Sequence, residues 1–418
     1  MEAARASQTS RVSQTSRRAR VSRARTTAPM AGFRVAVVLA LILASGACTY
    51  PLTSEPPAGS SPSDSQTALP QSPIADFFAH EMLNRGAPAV VVQIKVRGQE
   101  WSQAYGSQDV ETGEPVAVTD RIQAGGITQS MVAVSVLKLV QEGKLGLEDP
   151  VTEYFPEFQQ LVNPPGPITV RSLLNHSSGL PDAPEAILKA MPPKQAIDTR
   201  FTIEDYLRMA GTVPWAHANF QLFRYSDANY FALAAIVQKL RGRPIGDVLN
   251  SDIFVPLGMS HTSLAAEPDR DARDMIQSYE FIDGERINAS QPEYLVGSPA
   301  EGVISTVGDI NTFYAALMQG RLLTANTLHE MQTLWQENYG LGLQRWNDEC
   351  TNGFYYGYGG STWFASISLS TSDGSRQITL SFAYPSDTNK HIESTDGSGQ
   401  PEFEQLREVA IATMNGLC

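Results

Sequence analysis

From residue 73 onward the chain alternates blocks of strand-like and helix-like spacing. Residues 74–83 set apolar side chains three and four apart, which predicts an amphipathic helix. Residues 89–96 and 101–105 are rich in β-branched and aromatic side chains and flank Arg97-Gly98, a hairpin signal. The run 127–140 carries Met131, Val132, Val134, Val136, Leu137, Leu139 and Val140, apolar on nearly every side of a helix. Such a helix is buried all round, and Gly143 ends it. Residues 145–260 are helix-rich with many Pro and Gly loops, most clearly helical at 230–240. Residues 352–385 return to strand character, with TWFASISLS and RQITLSFAY as alternating runs, and a last amphipathic helix covers 402–414. Strands at both ends with helices between predict an α/β (α+β) architecture. One mixed lobe is completed by both termini and a helical lobe is inserted at roughly 145–260. A groove between the lobes is the expected ligand site.

The first seventy residues follow a different pattern. Residues 1–29 are Arg, Ser and Thr with almost nothing to bury, and SQTSR occurs twice, at 7–11 and 13–17. From Met30, one Arg precedes the apolar run 35–44, which gives way to small residues before Cys48. That is the layout of an export signal, and the run is too short to span a bilayer. Translation from Met1 or from Met30 both remain open. The sequence Ser45-Gly46-Ala47-Cys48 resembles a bacterial lipoprotein cleavage box, with Ser45 where Leu is usual. Cys48 would then be the lipidated first residue, and the Pro/Ser-rich stretch 49–72 would be an extended tether. The expected division is 1–47 extension and signal, 48–72 anchor and tether, and 73–418 domain. The domain would lie outside the cytoplasm, held to the cell membrane by an N-terminal lipid. Export permits disulfides, and Cys350 and Cys418 are expected to pair, closing a loop worth roughly 4 kcal/mol.

Composition narrows the function. The chain of 418 residues is 42% hydrophobic and 8% aromatic, enough for a packed core. Its net charge of −13 hides an asymmetry, because residues 1–47 hold eight Arg and one Glu. The acidic remainder is a poor partner for nucleic acid. His80, His176, His217, His261, His329 and His391 show no metal-ligand spacing, and neither a phosphate loop nor a dinucleotide fingerprint occurs. No metal or cofactor is expected. The absence of G-x-S-x-G argues against an α/β-hydrolase.

Six phrases occur in a telling order: YGSQDVETGEPVAVTDRIQAGGITQSMVAVSVLKLVQEGKLGLEDPVTEYFPEF at 105–158, ITVRSLLNHSSGLPD at 168–182, FRYSDANYFALAAIVQKL at 223–240, PLGMSHTSL at 256–264, EGVISTVGDINTFYAALMQGRLLT at 301–324 and YGYGGSTWFAS at 356–366. Together they resemble the serine β-lactamase and penicillin-binding-protein family, in the branch of class C β-lactamases, DD-peptidases and related esterases. The resemblance covers about 73–418. It implies a β-lactamase/transpeptidase-like fold, an antiparallel sheet flanked by helices plus an all-helical lobe. It also implies acyl transfer from a serine. That chemistry uses S-x-x-K at the start of a buried helix, a Tyr from a Y-x-N loop, and a K-T-G or H-x-G strand that stabilises the oxyanion together with the backbone.

In register with that pattern, Gly125-Gly126-Ile127-Thr128-Gln129-Ser130 places Gly126 at the serine position and Gln129 at the lysine position. Glycine carries no nucleophile, and an amide is no base near neutral pH. The loop reads Tyr225-Ser226-Asp227, with Asp for Asn, and the strand reads Tyr358-Gly359-Gly360, with Tyr for His or Lys. Tyr225 alone keeps its family identity. With no ammonium beside it, its hydroxyl is expected to titrate near the ordinary tyrosine value of about 10. The literal S-x-x-K at Ser135-Val136-Leu137-Lys138 lies nine residues past the catalytic register, roughly 13 Å along the helix, and is read as a decoy. Ser130 shares the face of Gly126 one turn deeper and is read as structural, as are His176 and Asp182. Glu301 replaces a usual Gly near the groove. Phe354, Tyr355, Tyr356, Tyr358, Trp363 and Phe364 are read mainly as strand packing, with Tyr358 at a pocket position.

Three functions stay open. One is an envelope-anchored domain without acyl transfer that binds a peptidoglycan-like or peptide ligand or a protein partner. The second is an active hydrolase or esterase using a non-standard nucleophile such as Ser130 or Ser361. The third is a structural envelope protein with a closed groove.

Overall fold

The strand runs expected at the two ends of the domain meet in one antiparallel sheet. Its strands are β1 (Ala89–Val96), β2 (Gln99–Asp109), β3 (Glu114–Pro115), β4 (Gln344–Asp348), β5 (Gly353–Gly359), β6 (Phe364–Thr371) and β7 (Arg376–Ala383). The spatial order is β3-β2-β1-β7-β6-β5-β4. This is a computed structural model, and it describes residues 72–216, 221–264, 266–268, 273–282, 284–336, 338–360, 363–385 and 401–418. The export signal, Cys48, the tether, His217, His391 and Ser361 lie outside the described residues.

The β1–β2 hairpin turns at Arg97 (φ 50°) and Gly98 (φ 85°), two successive left-handed residues of the kind a two-residue hairpin requires. The register pairs Val90 with Phe382 and Ile94 with Ile378 across β1 and β7. It pairs Ser366 with Ser381 and Ile367 with Leu380 across β6 and β7. Period-two alternation therefore sorts the side chains into two layers. On the outer face, Val90, Val92, Ile367, Leu369, Leu380 and Phe382 pack against two helices, α1 (Pro73–Asn84) and α5 (Pro401–Asn415). Phe78 of α1 meets Phe382 edge-on, with ring centroids 5.9 Å apart.

The other face is polar and still buried. Ser366 lies 2.8 Å from Ser381, Ser368 lies 2.8 Å from Thr379, and Thr379 donates to Asn311 at 2.8 Å. Asn311 belongs to α4 (Val307–Met318) and donates in turn to the Gln93 carbonyl at 3.0 Å. Alternation alone would leave these hydroxyls in water. The structure covers them with a helix and pairs them with one another, as burial of polar groups demands.

Beneath that face runs α2 (Ile127–Gln141), whose residues from Ile127 to Leu137 are all buried, as its apolar circumference predicts. Gly143, at φ 66°, follows its end. Helices fill most of 151–257, and the longest of them, α3 (Ala228–Arg241), packs on α2 and closes at Gly242 in the left-handed conformation. Cys350 and Cys418 are disulfide-bonded with Cα atoms 5.3 Å apart. Beside them Arg376 and Asp348 form a buried ion pair at 2.7 Å, and Arg376 also donates to Cys350 Sγ at 2.8 Å. Among the described residues, no helix is long and apolar enough to cross a membrane.

Candidate functional site

Three chain segments converge at the N-terminus of α2. The helix starts where Gly125 adopts φ 56° and Gly126 takes the cap position without a capping side chain. The end of β5 lies directly against it. The Gly126 amide donates to the Gly360 carbonyl at 2.7 Å. Gly360, at φ 116°, holds a backbone conformation that other residues rarely adopt. A Cβ on Gly126 would stand 2.8 Å from the Gly359 carbonyl oxygen and 3.1 Å from Cε1 of Tyr358. Tyr358 is buried and meets Tyr339 edge-on, with centroids 5.4 Å apart. The strand therefore occupies the space into which a side chain at 126 would project.

The third segment is the loop 223–227 that enters α3. Asp227 precedes the helix but does not cap it through its side chain. The Asp182 carboxylate takes the capping work, accepting the backbone amides of Asp227 and Ala228 as well as that of Ala183 and the Tyr206 hydroxyl. Burial pushes the Asp182 carboxyl above the usual range, and these bonds pull it back. Asp227 turns toward α2, where its Oδ1 accepts from Gln129 Nε2 at 3.1 Å and from the Tyr225 hydroxyl at 2.6 Å.

Protons in this cluster can be assigned by elimination. The Ser226 backbone N–H can only donate, and it points at His176 Nδ1 at 3.3 Å. Nδ1 is therefore bare, which makes Asn229 Nδ2, 3.0 Å away, a second donor to it. The imidazole proton sits on Nε2 and is donated to Gln129 Oε1 at 3.1 Å. The amide oxygen is thereby fixed, so Gln129 Nε2 faces outward and donates to the Tyr225 hydroxyl at 2.7 Å and to Asp227. The Tyr225 hydroxyl in turn donates to the Asp227 carboxylate. Gln129 is fully buried and each of its polar atoms is paired, while Tyr225 stays partly exposed.

His176 sits at φ 56° and is fully buried among four rings: Tyr225 (4.8 Å), Tyr339 (5.2 Å), Tyr230 (5.4 Å) and Phe223 (5.7 Å). Burial in this aromatic shell pushes its pKa down to about 3, so the ring is neutral at any ordinary pH. The HSSGLPD phrase thus supplies both a tether for Gln129 and, through Asp182, the cap of α3.

Gly126, Gln129, Tyr225, Ser226, Asp227, Tyr358, Gly359 and Gly360 are brought into this one region, while the other candidates lie elsewhere or inward. Ser130 is fully buried and donates to the Gly342 carbonyl at 2.6 Å, with the Tyr314 hydroxyl at 3.0 Å. Ser135 is fully buried inside α2, and Lys138 is half-buried in its last turn. Glu301 is buried in a small recess with Gln123, Ser290 and Leu295. Of the aromatic residues in 354–364, Tyr355 bonds Asn415, Trp363 bonds Tyr294, Arg345 covers Phe354, and Phe364 is fully buried. Tyr339, which joins the His176 shell to Tyr358, carries no motif and could not have been found by spacing. Among the described residues, no group of three His, Cys, Asp or Glu is arranged to hold a metal ion.

Comparisons place this geometry among known proteins. A family model described as Beta-lactamase matches residues 74–371. The esterase EstB of Burkholderia gladioli is 31% identical over 178 residues, 41% of this chain and 45% of that protein. Protein flp of Staphylococcus aureus (strain N315) is 26% identical over 244 residues, 57% of this chain and 47% of that protein. The chain therefore spans less than half the length of these curated relatives. A D-stereospecific amidohydrolase from Streptomyces sp. matches in structure with a TM-score of 0.65 and 26% identity, covering 78% of this chain and 98% of that one.

Proposed function

This chain belongs to the beta-lactamase family, and on that premise we propose that it is a member that no longer transfers acyl groups. The observation that carries this reading is the seam at Gly126. The position that would supply the attacking hydroxyl has no side chain, and a Cβ there would meet the Gly359 carbonyl oxygen at 2.8 Å.

The rest of the machinery is equally committed. The Gly126 N–H, which would help hold an oxyanion, is bonded to Gly360. Gln129 offers no basic lone pair, and its amide is held on both sides. Tyr225 donates to the Asp227 carboxylate and accepts from the neutral Gln129 amide, neither of which draws off its proton as a base would. Ser130 spends its proton on a backbone carbonyl in the core. Groups that act as a unit lose nearly all their effect when any is removed.

The role that remains is non-covalent. The domain is exported, anchored to the outer face of the cell membrane through a lipid on Cys48, and binds a peptidoglycan-like fragment or a protein partner through the surface around Tyr225. The tightness of the seam favours a second reading, in which the groove is closed and the domain is structural.

The test is direct. The purified protein should form no adduct with a labelled penicillin and should hydrolyse neither a chromogenic cephalosporin nor a short acyl ester. A stoichiometric adduct on any serine, Ser361 included, would overturn the reading. Calorimetry with a peptidoglycan fragment separates binding from the structural alternative, and Cys48→Ala should move the protein out of the membrane fraction.

A further inference from the structure

The disulfide between Cys350 and Cys418 is built asymmetrically. Cys350 sits in the turn that joins β4 to β5 and is half-buried, whereas Cys418, just beyond α5, is exposed. The two sulfurs also face opposite kinds of partner. Arg376 of β7, itself only 6% exposed, donates through Nη1 to Cys350 Sγ at 2.8 Å. Cys418 Sγ lies 2.9 Å from the Asn415 carbonyl oxygen, an acceptor. The Met414 and Asn415 carbonyl oxygens stand farther from Cys350 Sγ, at 3.7 and 3.8 Å.

The guanidinium is held in this position from its other side. Its Nη2 donates to Asp348 Oδ2 at 2.7 Å, and Nη1 also reaches the Met414 carbonyl at 3.3 Å. The Asp348 carboxylate is committed in turn, accepting the Cys350 backbone N–H at 3.0 Å and the Thr351 hydroxyl at 2.7 Å. Its charge is thus spread over three donors, while one arm of Arg376 stays aimed at the sulfur. Glu349, the other acidic residue of the turn, is exposed to water.

We propose that this pair is a thiol-exchange site, in which an incoming thiolate attacks Cys418 Sγ and Cys350 Sγ is the leaving group. Access selects the sulfur that is attacked. The departing sulfur gains a negative charge, and exchange is faster when that charge is stabilised. A guanidinium N–H stabilises it, and a carbonyl oxygen opposes it. The incoming thiolate forms a new S–S bond to Cys418 as the old bond breaks, and the electron pair of the old bond leaves with Cys350. A monothiol stops at this mixed disulfide. With a dithiol, the second thiol loses its proton, attacks the first sulfur of the reagent and frees Cys418. The dithiol then ends as a disulfide, and its two electrons have reduced the protein pair. Exchange unties the β4–β5 turn from the end of α5, while Arg376 keeps its hold on Asp348.

The test uses the Cys48→Ala protein, in which Cys350 and Cys418 are the only cysteines left. The folded protein is mixed with glutathione, quenched in acid at early times, alkylated with N-ethylmaleimide and mapped by mass spectrometry. Glutathione should sit on Cys418 and the alkyl group on Cys350, about ten-fold or more over the reverse pattern. In guanidinium chloride the two patterns should become comparable, because the unfolded chain no longer holds Arg376 against one sulfur. In the folded protein Arg376→Lys should keep the preference and Arg376→Gln should erode it. Should Arg376→Gln fail to fold, the comparison in denaturant still decides. Glutathione on Cys350, an equal split in the folded protein, or a bond that yields only as fast as the protein unfolds would overturn the proposal. So would a preference that survives in denaturant or in folded Arg376→Gln.

Discussion

His176 Nε2 donates to Gln129 Oε1 at 3.1 Å, and this bond decides what the residue at 129 can do. A lysine there would present an ammonium to an imidazole N–H, donor facing donor. The glutamine presents an acceptor, and its other end still reaches Tyr225 and Asp227. The amide is thus integrated into a neutral-histidine network that would oppose an ammonium.

Gln129→Leu should therefore be costly although the side chains are similar in size. It leaves the His176 N–H without its acceptor and removes one donor from Asp227. Each buried polar group left unpaired costs about 1–3 kcal/mol, so a loss of roughly 2–4 kcal/mol in urea unfolding is expected. A loss under about 0.5 kcal/mol would mean that the network contributes nothing.

Gly126→Ser should destabilise the fold by about 1–3 kcal/mol, the usual cost of forcing atoms into a packed site. The close neighbour is a backbone carbonyl, which yields less readily than a side chain. On the proposed reading, introducing Gly126→Ser together with Gln129→Lys should give weak acylation wherever the pocket is preserved. The seam with β5 removes that condition, so the double variant should still take up no labelled penicillin. Acylation of the new serine would show that the strand end gives way.

Stability should fall on acidification. The unfolded chain protonates His176 near pH 6.5, whereas the folded protein holds it neutral down to about 3. Between those values the unfolded state binds more protons, so stability declines as pH drops, by up to about 1.4 kcal/mol per unit from this residue. His176→Asn tolerates the left-handed backbone and removes the titration. Its melting temperature should depend less steeply on pH between 4 and 6.5 than that of the parent, and equal slopes would exclude His176 as the source.

Replacing Cys350 and Cys418 together by Ser should cost roughly 4 kcal/mol in the loop-entropy account. The loss should appear first at the end of α5, whose Met414 and Asn415 carbonyls lie against Cys350 and Arg376. Faster amide exchange in 410–416 than in β6 is the measurement that checks it.

Much of this was legible in the chain. Periodicity located α1, the β1–β2 hairpin, α2, α3, β6, β7 and α5 to within a few residues, because each buries a face whose period is its own. The polar edge strand β4, sequence QRWND, has no such face and was not found. The motif register singled out Gly126 and Gln129, since a departure from the resembled pattern is visible as letters. What surrounds them was not legible. The bond from His176 to Gln129 joins residues 47 apart with no spacing rule between them. The contact at Gly126 is made by a main-chain oxygen, which no letter of the alphabet records.

The paired hydroxyls between β6 and β7 have a consequence for assembly. Ser366 meets Ser381 and Ser368 meets Thr379 in one alignment of the strands only. Sliding either strand by a single residue would thrust those oxygens into the oily layer under α1 and α5 and turn Ile367 toward Asn311. The covered seam of hydroxyls thus acts as a key against a one-residue slip, which would bury those oxygens without partners.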